Sequence, residues 1–352
     1  MINRKNYLWY VFAGLVLFSF LTVRLFIQQG EFQTIGEQSE YQCQPIAAPW
    51  GPEDIVADYD TGLLYISASA RQDGAARFNT RGNIHVLDMN GANEQIQLVS
   101  GDFIGKFRPH GMSLIKLADG SKRLFAISHP AKAQSVVEIF AVKQAKLTHI
   151  ETISGLPGGL NSITAIDGER FYATQDGSTS GISSLFNGIF GLEYSEVIYY
   201  DGKLSQVVAD GFEYANGIEL SADGQQLYVA DMLKRTLEFY DRDLQTNALT
   251  KTGNLNMDAG VDNISRNQDG SFFIAGHPKM FSTFFHISGL KDIAPSVVFR
   301  ATPPKGGQRG ELKVVHLENG FGISGASGAV EFNDKMYIGA ITQNRLLSCI
   351  KL

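Results

Sequence analysis

VDNISRNQDGSFFIAGHP, residues 261–278, packs two strand-like runs and a turn into a short space. Asp262 and Asn263 interrupt the first run, Asn267 to Gly270 is a turn signal, and the aromatic second run ends on His277. This is the pattern of a hairpin with polar residues at its open end. Asp and Asn are ordinary turn residues, and His ends many strands without consequence, so one hairpin decides nothing. Its recurrence does.

The second run has five sisters: GLLYISAS (62–69), KRLFAISH (122–129), ERFYATQD (169–176), QQLYVADM (225–232) and DKMYIGAI (334–341). Their central aromatics, Tyr65, Phe125, Tyr172, Tyr228, Phe273 and Tyr337, follow one another at intervals of 45 to 64 residues. That is the period of a propeller blade with loops of variable length. Little of residues 44–352 has helical periodicity, and glycine, at 37 residues, is in the excess that many tight turns require. The expected fold is all-β: a six-bladed β-propeller with four antiparallel strands per blade. Runs such as NIHVLDMN (83–90), VVEIFAVK (136–143), EVIYYDGK (196–203) and TLEFYDRD (236–243) fit the outer positions.

One strand before each aromatic stands a short apolar run led by a polar residue: Glu53, His110, Asn161, Asn216 and Asp262, with a sixth from Ser324 that carries no strong ligand. If these are innermost strands, their starts crowd one mouth of the central axis. In an antiparallel hairpin the end of the next strand returns to that mouth, bringing His129, Asp176, Asp231 and His277. His110 is then expected beside His129, Asn161 beside Asp176, and Asn263 beside His277.

Glu53, Asn161, Asn216, Asp262 and Asn263 would supply five hard oxygen donors with two negative charges. Such a set suits Ca²⁺, whereas zinc and copper favour softer ligands. A cation there would polarise a carbonyl, and the His110–His129 pair could activate a water. Each residue alone has a bland alternative, an Asn capping a strand or a His ending one. No G-x-S-x-G elbow, Walker loop or dinucleotide fingerprint is present. A net charge of −6 speaks against nucleic acid as a partner.

The N-terminus is of another kind. After Arg4 and Lys5 comes YLWYVFAGLVLFSFLTV (7–23), free of charge, and the apolar character continues past Arg24 to Ile27. With no A-x-A site behind it, this segment reads as an uncleaved signal-anchor, the alternative being a cleaved signal peptide. Cations before it and Glu31, Glu37 and Glu40 after it put the bulk of the chain outside the cytoplasm. The expected organisation is a cytoplasmic tail (1–6), a membrane span (7–27), a linker (28–42) and a catalytic propeller (43–352). Two cysteines, Cys43 and Cys349, sit at the ends of the propeller and invite a disulfide between its first and last blades; two unrelated thiols are the alternative.

Several motifs also carry a family resemblance. PEDI (52–55), HGMS (110–113), SHP (128–130), ANGIELSADG (215–224), VDNIS (261–265), GHP (276–278) and the closing LLSCIKL (346–352) resemble the paraoxonases, in order and with few gaps from about Cys43 onward. The resemblance implies a six-bladed propeller and calcium-dependent hydrolysis of lactones and aryl esters. It implies a catalytic calcium on Glu53, Asn161, Asn216, Asp262 and Asn263, a histidine dyad of His110 and His129, a further active-site histidine at His277, and a Cys43–Cys349 disulfide. Either the dyad or calcium-bound Asp262 serves as the base.

The family's second calcium would use Asp54 and the carbonyl of Met112, but Ser162 stands where another Asp is expected, so that site should be weak or absent. Asp176 is retained in the substrate pocket, while Gly177 and Ser178 replace a His-Tyr pair. GISSLFNGIFGLEY (181–194) is apolar for a loop and reads as an outer strand edge or else as a lid over the mouth or a membrane contact, and PKMFSTFF (278–285) could be another wall of an apolar pocket; both would favour hydrophobic lactones or esters. Asn263-Ile-Ser matches a glycosylation signal, but a residue at the axis would be occluded. The competing expectations are a gluconolactonase-like sugar lactonase and a non-catalytic propeller that binds partners at its mouth.

Overall fold

The computed structural model describes residues 4–71, 80–91, 94–176, 193–302 and 310–352. Among them the strands form six antiparallel sheets, each starting at an inner strand and running outward. The inner strands are Pro52–Asp58, Pro109–Lys116, Leu160–Ala165, Ala215–Leu220, Gly260–Arg266 and Ala326–Phe332, for blades 1 to 6. Each packs against the next, and that of blade 6 against that of blade 1, so the six close a ring. The chain is a six-bladed β-propeller, as its repeat predicts.

The repeated aromatic is the wedge between blades. Tyr65 lies among Phe107, Met112 and Leu124 of the following blade and its approach, and Phe125 lies against Ile163 and Phe171 of blade 3. Tyr172, Tyr228, Phe273 and Tyr337 pack in the same way onto blades 4, 5, 6 and 1. All six are completely or almost completely buried. Burying one such side chain stabilises the fold by roughly 1.5–3 kcal/mol, which explains why an aromatic marks every repeat. Where the wedge is tyrosine, its hydroxyl can also bond the next blade: Tyr65 Oη donates to Gln144 O at 2.9 Å, and Tyr172 Oη to Asn247 O at 2.7 Å.

Ring closure differs in one respect from the sequence expectation. Tyr41–Ala47 crosses to blade 6 and pairs with Arg345–Lys351, so Cys43 lies directly opposite Cys349 within one sheet. The two form a disulfide. It therefore joins two strands of the last blade, not the first blade to the last. The reason is that the outermost strand of blade 6 comes from the N-terminal end of the propeller. Just before it, Gln38–Ser39 adds a short edge to the outer strand of blade 5, Glu311–Glu318.

Two helices lie among the described residues. Helix α1, Arg4–Gln28, contains a stretch, Trp9–Gln28, of mean hydropathy 2.1 that is long and apolar enough to cross a membrane and is almost wholly exposed. Helix α2, Met280–Ile287, follows His277 and receives the base of α1. Phe26 stacks on Phe281 with ring centroids 4.3 Å apart, and the Glu31 carboxylate accepts from the Ser282 N–H and hydroxyl, both at 2.9 Å. The segment expected as an apolar pocket wall at 278–285 thus spends Phe281 on the N-terminal helix.

The disulfide closes a loop of 306 residues. Replacing Cys43 and Cys349 by serine should lower the unfolding free energy by several kcal/mol, with about 5 kcal/mol as the entropic upper bound. Chemical denaturation of both chains measures this. Equal midpoints would mean that strand pairing alone holds the ring shut.

Candidate active site at the propeller axis

All six inner strands slip register at the same level. The irregularities fall between Pro52 and Asp54, Pro109 and Met112, Leu160 and Ile163, Ala215 and Ile218, Val261 and Ile264, and Ala326 and Ala329. The residues lifted out of the ladder are Glu53, His110-Gly111, Asn161-Ser162, Asn216-Gly217, Asp262-Asn263 and Ser327-Gly328. A bulge frees side chains from the strand's alternation, so each blade can aim its polar residue inward. Contacts between blades that are not neighbours show the convergence: Asn263 Nδ2 of blade 5 donates to Glu53 Oε1 of blade 1 at 2.9 Å.

Crowding explains the glycines. A Cβ on Gly217 would lie 2.4 Å from the carbonyl oxygen of Asp262, and one on Gly111 2.4 Å from that of Asn161. The backbone of the next blade occupies the space a side chain would need. Hence His110-Gly and Asn216-Gly recur where a ligand-type residue enters the axis.

Glu53, Asn161, Asn216, Asp262 and Asn263 are all buried, each at the register slip of its blade's inner strand. Burial pushes the carboxyls of both Glu53 and Asp262 upward; Arg71 and Asn263 oppose it at Glu53, and His277 opposes it at Asp262. Asn263 directs its amino group to Glu53, while Asn216 lowers the Asp262 carboxyl and Asn161 the Tyr214 phenol against the larger upward push of burial. The Oδ1 atoms of Asn161, Asn216 and Asn263 are buried and have no hydrogen-bond partner. An unsatisfied buried carbonyl costs roughly 1–3 kcal/mol, and three side by side with two carboxylates make a donor set that fits a hard cation. Among the described residues no cluster of three or more His, Cys, Asp or Glu offers a metal site, so the donors here are chiefly amide oxygens.

The histidine pair forms. His110 Nδ1 lies 3.0 Å from His129 Nε2, and His110 Nε2 lies 3.5 Å from Glu53 Oε2. Behind them, His129 Nδ1 is 3.3 Å from the Ser135 hydroxyl, which accepts the Leu160 N–H. Burial, followed by the neighbouring His110 and Arg71, holds His129 well below the usual histidine range, so it is neutral at physiological pH.

The remaining residues are placed less uniformly. His277 Nε2 is 2.9 Å from Asp262 Oδ2, so its partner is Asp262 rather than Asn263; its Nδ1 has no hydrogen-bond partner. Asp176 accepts the Tyr214 hydroxyl at 3.2 Å. Asp231 is fully buried but serves the backbone, accepting the N–H groups of Glu213 and Tyr214, both at 3.0 Å. Asp54 Oδ2 accepts the Met112 N–H at 2.5 Å, so the Met112 group that meets it is a donor and not the carbonyl. Burial and the charge of Glu53 push the Asp54 carboxyl well up. Gly177, Ser178 and most of the 181–194 segment lie outside the described residues.

Sequence reasoning missed three residues. Arg71 reaches Glu53 Oε2 at 3.3 Å and the Pro109 carbonyl at 3.2 Å; nothing in the repeat marks it. Ser327 donates to the Glu53 carbonyl at 2.5 Å, and its Ser-Gly pair echoes His110-Gly and Asn216-Gly. Tyr214 stands two residues before Asn216, outside the inner strand.

A model of the arylesterase family matches residues 52–350. The chain belongs to the arylesterase family. It is 31% identical over 312 residues to mouse (Mus musculus) serum paraoxonase/arylesterase 1, covering 84% of this chain and 85% of that protein. Rabbit (Oryctolagus cuniculus) serum paraoxonase/lactonase 3 is 28% identical over 345 residues, covering 94% and 96%. Among solved structures, a luciferin-regenerating enzyme superposes with a TM-score of 0.56 at 12% identity, over 89% of this chain and 96% of that one. The PQQ-bound aldose sugar dehydrogenase of Streptomyces coelicolor does so with 0.53 at 12%, over 90% and 99%. These two share the propeller and nothing more specific.

Gly217→Ala should destabilise the protein by about 1–3 kcal/mol, because the backbone at Asp262 must shift. Thermal unfolding beside a control at Gly36, which has open space and no left-handed backbone, measures it; equal losses at both positions would refute the packing account.

Proposed function

We propose that this member of the arylesterase family is a calcium-dependent hydrolase of lactones and aryl esters. The observation that carries the reading is the trio of partnerless amide oxygens between Glu53 and Asp262. Glu53, Asn161, Asn216, Asp262 and Asn263 would hold one calcium ion. The chemistry such an ion supplies is polarisation of the substrate carbonyl. A second ion at Asp54 and the Met112 carbonyl is disfavoured, because Asp54 already takes the Met112 N–H and Ser162 contributes no carboxylate.

The chain's own residues supply the proton chemistry. Hydrolysis adds water to the acyl carbon, breaks the acyl–oxygen bond and returns a proton to the departing alkoxide. Two groups are placed to take the water's proton. His110 can do so and share it through Nδ1 with neutral His129, which Ser135 orients from behind. Asp262 can do so with His277 at its Oδ2. Asp176 and Tyr214 stand on the blade 3–4 side of the same mouth.

The same proposal places the propeller on the extracytoplasmic side of a membrane, tethered by α1. The disulfide and the cations ahead of the span support that orientation. The polar tail, span, linker and catalytic domain then follow at 1–6, 7–27, 28–42 and 43–352.

Purified protein should hydrolyse long-chain lactones and phenyl acetate faster than gluconolactone, and a chelator should abolish all three until calcium is restored. Turnover that survives the chelator would sink the reading; preference for gluconolactone would favour a sugar lactonase, and no turnover of any substrate a binding module. His110→Gln should cut lactone turnover by about 10²-fold or more if the dyad is the base. A retained rate would assign the base to Asp262.

A further inference from the structure

Arg71 follows the second strand of blade 1, Leu63–Ala68, and turns its guanidinium back toward Glu53. Nη1 donates to the carbonyls of Gly51 at 3.1 Å and Ser69 at 3.2 Å. Nη2 donates to Glu53 Oε2 at 3.3 Å and to the Pro109 carbonyl at 3.2 Å. The side chain is only 13% exposed. A guanidinium carries its N–H groups in a rigid planar fork, so four such acceptors fix its place and it fixes theirs. The chain makes room for it: a Cβ on Gly51, whose φ is +64°, would lie 2.3 Å from the Ser69 carbonyl oxygen and 3.3 Å from Arg71 Nη1.

Two of these acceptors belong to the reacting geometry. Pro109 stands immediately before His110, at one end of the blade 2 register slip, and Met112 stands at the other end. Blade 1 holds both ends, since Arg71 takes the Pro109 carbonyl and Asp54 takes the Met112 N–H. Asp54 is the neighbour of Glu53, and Arg71 is bonded to Glu53 itself. His110 therefore rides on a bulge pinned to the part of blade 1 that carries Glu53. Its Nε2 lies 3.5 Å from the same Oε2 that Arg71 holds, while Glu53 Oε1 stays with Asn263.

We propose that Arg71 is a positioning residue for the hydrolysis: by holding Glu53 Oε2 and the Pro109 carbonyl on one fork, it sets the distance between the cation's carboxylate ligand and the His110 base. This inference rests on the calcium reading above, with His110 taking the water's proton. The bridge needs the fork and not only the charge. A lysine at 71 keeps the charge, but a single ammonium on a flexible stem does not hold both acceptors in one plane.

Steady-state hydrolysis of a long-chain γ-lactone by the full-length protein in detergent, at saturating calcium, tests it. Arg71→Met should lower kcat by about tenfold and change KM by less than about twofold, because the reacting groups are displaced and the lactone's own contacts are not. Arg71→Lys should stay below about half of the parent kcat. Added to His110→Gln, Arg71→Met should cost less than about twofold more, since displacing a base that is already absent removes nothing. A kcat within about twofold of the parent in either Arg71 variant overturns the inference, as does a further loss of about tenfold in the double variant. A His110→Gln protein with the parent's rate overturns it too, because Arg71 then has no base to place. Each of these leaves the calcium reading standing, whereas parent turnover that survives a chelator removes the calcium reading itself. If Arg71→Met does not fold, Arg71→Lys decides by the same limits.

Discussion

The space at the propeller axis is too small for six ordinary strands. Six inner strands arrive at one ring, and the backbone of the next blade lies where the preceding one would place a Cβ, as at Gly111 and Gly217. The chain answers with a register slip in every inner strand and, in blades 2 and 4, with glycine beside the inward residue. Everything chemical follows from this. The slip takes Glu53, His110, Asn161, Asn216, Asp262 and Ser327 off the sheet and places them within reach of one another. Wedges such as Tyr65 and Tyr337 keep the blades at the spacing that makes the convergence possible.

The site so formed is electrostatically incomplete as protein alone. Burial works against both carboxylates, and Arg71 compensates only Glu53 directly. The three amides leave their carbonyls bare. A polar core that satisfies itself would not do this, since each bare carbonyl is a cost. The same residues make sense as a preformed oxygen cage, with the His110–His129 pair at its rim and His277 behind Asp262. Preformation matters for a hard cation, because ligands held in place lose little freedom on binding.

The fold was largely legible because one physical feature, an aromatic wedge in the second strand, recurs with the blade. The polar residues at the inner strands were legible because they stand 11 to 15 residues before that wedge. What escaped had no such period. The disulfide's place inside blade 6 depends on an N-terminal strand crossing to the far end of the chain, which no local pattern encodes. Arg71 acts through a long side chain from a loop, and Tyr214 stands outside the inner strand. Asp231 matched the pattern of a site residue and turned out to serve backbone N–H groups; sequence offset alone does not separate a carboxylate that meets the axis from one that turns to a neighbouring loop. His277 was placed at the right mouth with the wrong partner, because the bulge at Val261/Ile264 moves Asp262 to it.

The central claim is that the bare carbonyls of Asn161, Asn216 and Asn263 exist to hold one calcium ion. Long-wavelength anomalous diffraction from a crystal grown in calcium tests it most directly. The expected result is a single strong peak at about 2.3–2.6 Å from those three Oδ1 atoms, with Glu53 and Asp262 completing the set. A difference map showing only water there, or calcium bound solely at Asp54, would contradict it.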